Sequence, residues 1–211
     1  MSDVPRDSAV ESRYDVASSR VAYRGRVLTL RVDEVRMPGG GTAVREVVEH
    51  LGAVAVVALD ADGRVVLIRQ YRHAVGRHLV ELPAGLLDVE GEPAVETARR
   101  ELFEEAALRA GRWDTLADVI NSPGFSDESV RIFLARDLAD VPEAERHAGV
   151  EEESDLGVHR VDLDEAVRAA LAGEIENGIA LIGLLAAARA RDAGWAPLRP
   201  PGADWPARPG R

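Results

Sequence analysis

The stretch Ala84–Leu108, AGLLDVEGEPAVETARRELFEEAAL, constrains the chain most, because a glycine-bearing loop runs there into a helix crowded with glutamates. Glu92 and Pro93 mark the start of the helix. Proline suits a first helical turn, where its missing N–H has no bond to lose, and an acid there meets the positive end of the helix dipole. The helix is predicted to run to about Ala107, with Val95, Ala98, Leu102 and Ala106 as its apolar stripe. Glu101, Glu104 and Glu105 stand three and four residues apart and so share one face. Within the helix only Arg99 and Arg100 are cationic. A charge run of this kind is commonly a solvated face. A divalent cation would instead turn the mutual repulsion into chelation, since hard ions take carboxylate oxygens together with water and phosphate.

At these residues the chain resembles the Nudix hydrolases. The family pattern is read here as Gly85, Glu92, Arg100-Glu101, Leu102, Glu104-Glu105, then Ala107 and Leu108. Two positions depart from it: six residues instead of five separate Gly85 from Glu92, and Ala107 stands where the family usually has glycine. The extra residue falls in a loop, where insertions are tolerated best, and neither change touches the metal-binding glutamates.

The chain has 211 residues, which allows one domain or one domain with a small appendage, and 46% of them are hydrophobic, enough for a real core. The formal net charge is −11, which argues against a nucleic-acid-binding surface. It leaves room for a phosphate-bearing substrate if metal ions screen the carboxylates. The absence of cysteine excludes a disulfide framework, a thiolate zinc site and a cysteine nucleophile, and is compatible with the expected cytoplasmic location. No apolar leader opens the chain, and the apolar run Ile179–Ala188 is too short to span a bilayer, so no membrane partner is expected.

Read in order, residues 1–12 are expected to form a disordered tail, and residues 13–50 a small N-terminal β unit of roughly three antiparallel strands, with a turn at Met37–Gly41. Residues 51–193 form the main domain. In it Gly52–Leu59 reads as a buried strand, Asp60–Gly63 as a hairpin turn and Arg64–Tyr71 as the returning strand. Later strands are predicted at Thr115–Asn121, Val130–Ala135 and Val158–Val161, with residues 137–156 as a polar loop. Leu163–Ala172 and Glu176–Asp192 read as helices, the first capped by Asp162 or Asp164 and ended by Gly173. The proline-rich tail, 194–211, is expected to be disordered. The fold class is α/β with a mixed sheet between helices, which the resemblance sharpens to the Nudix α/β/α sandwich. The N-terminal unit is too small for a good core of its own, and the resemblance implies that it packs across a two-fold partner in a homodimer.

Further stretches are similar to the ADP-ribose pyrophosphatases within the family. Pro123 lies 16 residues beyond Ala107, inside Ser122–Glu128, and Arg45-Glu46, Arg69–Arg72, Glu81–Gly85 and Gly173–Ile175 resemble that group as well. The resemblance implies Mg²⁺- or Mn²⁺-dependent hydrolysis of the pyrophosphate of ADP-ribose to AMP and ribose 5-phosphate. It carries over Glu101, Glu105 and the Ala84 carbonyl as metal ligands, with Glu104 holding a second ion or a water. Arg100 is taken to orient the glutamates. The general base is taken from the late loop Glu151–Glu153, at Glu152 with Glu153 as runner-up, the latter being alternatively a metal ligand. Arg45 and Glu46 are assigned to the adenine end, or else form an ordinary edge-strand pair. Arg72 is assigned to phosphate, which its planar fork suits, or is a surface arginine. Glu81 is assigned to substrate or metal, or else caps or pairs locally. The histidines at 50, 73, 78, 147 and 159 show no ligand spacing. Two other readings stay open: a Nudix enzyme for a different nucleoside diphosphate sugar, and a catalytically silent domain that binds ADP-ribose as a sensor.

Overall fold

The computed structural model describes residue 7 and residues 14–146, 156–196 and 198–208. The chain divides into two compact units, one reaching to His50 and taking in Ser122–Glu128, the other comprising Leu51–Asn121 and the chain from Ser129 onward.

The first unit is an antiparallel sheet in the order β1 (Val16–Arg24), β2 (Leu28–Arg36), β3 (Thr42–His50). The Met37–Gly41 turn closes with Met37 donating to the Gly41 carbonyl, and Gly40 and Gly41 carry the positive φ it requires. The sheet is polar at its centre. Asp33, 3% exposed, accepts from the Ser19 hydroxyl at 2.6 Å and from Arg31, and these bonds hold its carboxyl below the usual range. Segment 122–128 joins this unit through the backbone: Val48 donates to the Phe125 carbonyl at 2.7 Å, and Asp127 donates to the Val48 carbonyl at 3.2 Å. Apolar side chains at Tyr14, Val16, Val21, Tyr23 and Val44 remain exposed.

The second unit is an α/β/α sandwich around β4 (Ala53–Ala58). Its four-stranded sheet runs β7-β4-β9-β8, where β7 is Ala84–Leu86, β8 is Leu108–Ile120 and β9 is Ser129–Asp140. The sheet is mixed, since β4 and β9 are parallel and the other pairings antiparallel. The parallel pair lies buried on both faces, which is why β4 reads as an unbroken apolar run. Val54, Val56 and Ala58 point with Phe133 and Ala135 towards α1 (Ala94–Ala106). Ala55 and Val57 point with Ile132 and Leu134 towards α2 (Leu163–Leu171) and α3 (Gly178–Asp192). Gly183 lets α3 approach this closely, for a Cβ there would lie 2.6 Å from Leu82 Cδ1 and 3.1 Å from Val57 Cγ2. A second, antiparallel sheet has the order β10-β5-β6, from Gly157–Asp162, Arg64–Arg72 and Arg77–Glu81. The expected caps form: Asp162 accepts from the Asp164 and Glu165 amides, and Gly173 takes a positive φ after α2.

Two regions differ from the sequence reading. Strands β8 and β9 pair over nearly their full lengths, from Leu108 opposite Asp140 to Ile120 opposite Ser129, so strand structure runs on to Asp140, into the start of the expected loop 137–156. Their outer halves carry Arg109, Arg112, Asp114, Arg136 and Asp137, and these charges conceal the strand from a hydrophobicity pattern. Within the stretch 194–211, expected to be disordered, the described residues 199–205 meet β8 and β9. Arg199 bridges Thr115 backbone to backbone. Arg131, 3% exposed, holds Asp118 through two bonds and donates to the carbonyls of Ala203 and Asp204, with Trp205 stacked on its guanidinium at 4.8 Å. The Trp205 indole N–H reaches Ser129 Oγ at 3.0 Å. Proline-rich composition suggested a floppy segment, but a buried arginine supplies the carbonyl partners that such a segment cannot give itself.

Removing that cation would leave Asp118 with one fewer partner and take their donor from the Ala203 and Asp204 carbonyls. Arg131→Met is therefore expected to lower unfolding stability by about 3–5 kcal/mol, measured by chemical denaturation. An unchanged midpoint would show that the arginine anchors nothing.

Candidate active site

The glutamate helix and its loop pack as one assembly within the second unit. Helix α1 buries Ala94, Ala98 and Leu102 beneath β4 and β9. That register turns Glu101 inward, where it is 9% exposed. Its carboxyl group lies over the Gly85 backbone so closely that a Cβ on residue 85 would stand 2.1 Å from it. This contact is what requires glycine at position 85. The helix ends at Ala107, which takes the left-handed conformation (φ 51°) usual for glycine and donates to the Phe103 carbonyl at 3.0 Å. That geometry costs alanine about 1–2 kcal/mol.

Arg100 ties the acids together. Its guanidinium donates to Glu101 at 2.7 Å, and stands 3.5 Å from Glu104, 3.4 Å from Glu92 and 3.7 Å from Asp88. Glu92 also accepts from the Thr97 hydroxyl at 2.7 Å. Glu105 accepts from the Ala84 amide at 2.8 Å and so links the helix to the loop. Arg100, expected to orient the glutamates, thus lies within ion-pair distance of Glu101 and Glu104. The contributions of Thr97 and Asp88 had no sequence signal, because neither stands at a signature position.

Burial is the main reason the Glu101 carboxyl is pushed up to about 7; Arg100 opposes that shift, and the nearby Glu104 and Asp88 charges add to it. Among the described residues no three acidic or histidine side chains converge as a ready ligand set. The donor chemistry nonetheless fits a divalent cation. Glu101, Glu104 and Glu105 stand on one helix, Glu101 held by Arg100 and Glu105 by the Ala84 amide, and a divalent cation would replace those contacts with metal–oxygen ones.

In the same unit, Arg72 on β5 donates to Glu81 on β6 through two bonds, at 2.9 and 2.7 Å. Glu81 is 4% exposed. The two residues assigned separately to substrate thus pair with one another. Arg45 and Glu46 are exposed neighbours on β3 of the other unit, where Arg45 donates to the Val44 carbonyl at 2.9 Å. Glu151, Glu152 and Glu153, the expected source of the base, lie outside the described residues.

The NUDIX domain profile matches residues 49–181. The chain belongs to the Nudix hydrolases. A profile described as the nucleoside diphosphate sugar hydrolase N-terminal domain matches residues 15–48 of this Nudix hydrolase. It is 49% identical to an ADP-ribose pyrophosphatase of Mycobacterium tuberculosis over 199 residues, 94% of either chain. It is 38% identical to an ADP-ribose pyrophosphatase of Bacillus subtilis over 146 residues, 69% of this chain and 77% of the relative. The crystal structure of an ADP compounds hydrolase superposes with a TM-score of 0.74, covering 89% of this chain and 99% of the other; at 22% identity this is a likeness of fold. Nudix hydrolases generally need a divalent metal. No described helix is long and apolar enough to cross a membrane.

The raised Glu101 group makes the metal-free fold pH-sensitive. A carboxyl whose folded value lies above its unfolded one contributes stability that is fully present below pH 4.5 and lost as pH rises through about 7. In EDTA, the melting temperature is expected to fall from pH 5 to pH 8 by more in the native chain than in Glu101→Gln, the difference corresponding to no more than about 3 kcal/mol. Parallel melting curves for the two proteins would refute the assignment.

Proposed function

We propose that the chain hydrolyses the pyrophosphate of ADP-ribose, releasing AMP and ribose 5-phosphate with a divalent cation, Mg²⁺ or Mn²⁺, as cofactor. The observation that carries this reading is the Gly85–Glu101 contact with Glu104 and Glu105 on the same helix. It is supported by 49% identity to a pyrophosphatase of that substrate over nearly the whole chain. Glu101, Glu105 and the Ala84 carbonyl would hold the ion, with Glu104 beside them. A bound divalent cation supplies neutralisation of the phosphate oxygens and a lowered pKa for its coordinated water.

The protein's own groups then divide the work. Arg100 keeps the carboxylates from repelling one another out of position. Glu81 fixes the plane of the Arg72 guanidinium through their paired bonds, presenting its fork to phosphate oxygens. Arg45 and Glu46 serve the adenine end. The general base comes from the loop at Glu151–Glu153, in first place Glu152 and next Glu153, because carboxylates that ligate a metal are poor bases. Low charge at the phosphate is needed throughout, since a glutamate and a phosphate at short range repel by several kcal/mol even at an effective dielectric of about 20.

Incubation with ADP-ribose and a panel of nucleotide sugars is expected to give AMP and ribose 5-phosphate preferentially from ADP-ribose. The turnover should be abolished by EDTA and reduced by about a hundredfold or more in Glu105→Gln. Faster turnover of another nucleotide sugar would keep the metal site and discard the substrate. Binding of ADP-ribose without turnover would favour a sensor.

We place the protein in the cytoplasm as a homodimer. The exposed Tyr14, Val16, Val21, Tyr23 and Val44 give the N-terminal sheet an apolar surface suited to a second copy. Light scattering at micromolar concentration is expected to return twice the 22.7 kDa chain mass, and a monomer would remove the assignment.

A further inference from the structure

The segment 198–208 and helix α1 share one face of the four-stranded sheet. Phe133 and Ala135 of β9 lie in the cluster beneath α1, and alternation along the strand puts Ser129 and Arg131 on that same face. The C-terminal segment covers these two. Trp205, partly buried, packs against the α1 cluster, with the Arg131 guanidinium over its ring and its N–H on the Oγ of fully buried Ser129. Three residues on, Arg208 donates to the Glu92 carbonyl at 3.4 Å. Glu92 stands two residues before the first residue of α1. The segment is thus pinned to Thr115 and Asp118 on β8, to Ser129 and Arg131 on β9, and to the entry of the glutamate helix.

That entry has little to hold it locally. Its cap residue, Pro93, makes no side-chain bond to the amides of the first turn. Glu92 accepts from Thr97 at 2.7 Å and stands 3.4 Å from Arg100, which also meets Glu101 and Glu104. A shift of Glu92 is therefore carried to those two glutamates through one guanidinium. We propose that Trp205 and Arg208 are positioning residues for the glutamate cluster. The C-terminal segment fixes the entry of α1 and, through Glu92 and Arg100, the place of the Glu101 and Glu104 carboxylates. Prolines at 200, 201 and 206 suit a strap of this kind, because they leave less backbone freedom to lose on docking and bring no N–H to be satisfied. The metal-binding work of the glutamates is that of the function proposed above, on which this assignment rests.

Trp205→Ala and Arg208→Ala test it in the full chain, with Arg208→Lys as the conservative variant. In EDTA, amide hydrogen exchange in α1 is expected to quicken about tenfold in each alanine variant, while α3, packed on the other face of the sheet, keeps its native rate. Mn²⁺ binding followed by calorimetry should weaken by about tenfold in the same variants. Arg208→Lys, which keeps a donor for the Glu92 carbonyl, should return both readings to within about threefold of the native protein. Equal quickening in α1 and α3 would mean that the segment adds only general stability, and native exchange in α1 would mean that it docks without consequence for the helix. Either result overturns the assignment. Should Trp205→Ala fail to fold, Arg208→Ala, at an exposed residue, decides alone. If exchange and Mn²⁺ binding shift as expected but the native protein turns over no nucleotide sugar, the enzyme reading fails and the positioning of the carboxylates stands.

Discussion

The burial of the Glu101 carboxyl against the backbone of Gly85 is the contact on which the rest of the site depends. A carboxylate in that position is held against its own preference for water, and two neighbouring acids make the preference stronger. Arg100 makes the arrangement tolerable, with guanidinium nitrogens placed among four carboxylates. The fold beneath is correspondingly firm. Ala98 and Leu102 are fully buried on the α1 side of the sheet, and Val54, Val56 and Phe133 beneath them are fully buried as well. An apolar bed of that kind keeps the helix from rotating to release the charge.

Much of the fold was legible because its strongest physical demands are local. The apolar run of β4 announced a strand covered on both faces, and Asp60–Gly63 announced the hairpin that follows it. Asp162 and Gly173 marked the two ends of α2. The glutamate cluster was legible for the same reason, since Gly85, Arg100 and the three glutamates lie within a single loop and helix. What escaped the sequence depends on partners far along the chain. The outer halves of β8 and β9 are charged, and they become strands by pairing with each other. The segment 198–208 acquires order from Arg131, some seventy residues earlier. The pairing of Arg72 with Glu81 needed the register of β5 against β6, which no local pattern encodes.

The two units illustrate different ways of stabilising a sheet. In the second, β4 and β9 are sealed by helices on both faces, and hydrophobic burial does the work. In the first, the centre of a three-stranded sheet holds a buried aspartate served by Ser19 and Arg31, while apolar side chains look outward. That inversion gives the small unit little reason to be stable in isolation, and it is the physical argument for a covering surface.

Ala107 shows what a signature position specifies. The helix must stop after Ala106 so that the chain can turn into β8, and stopping it demands a left-handed residue with its amide turned back to Phe103. Glycine meets that demand without strain, yet alanine meets it here too. The motif is thus a rule about a dihedral angle, written in residue letters only by habit. Patterns that insist on the letter will overlook members of the family whose chain makes the same turn with a different side chain. The residues that the rule truly forbids are the β-branched ones, for which this conformation is most costly.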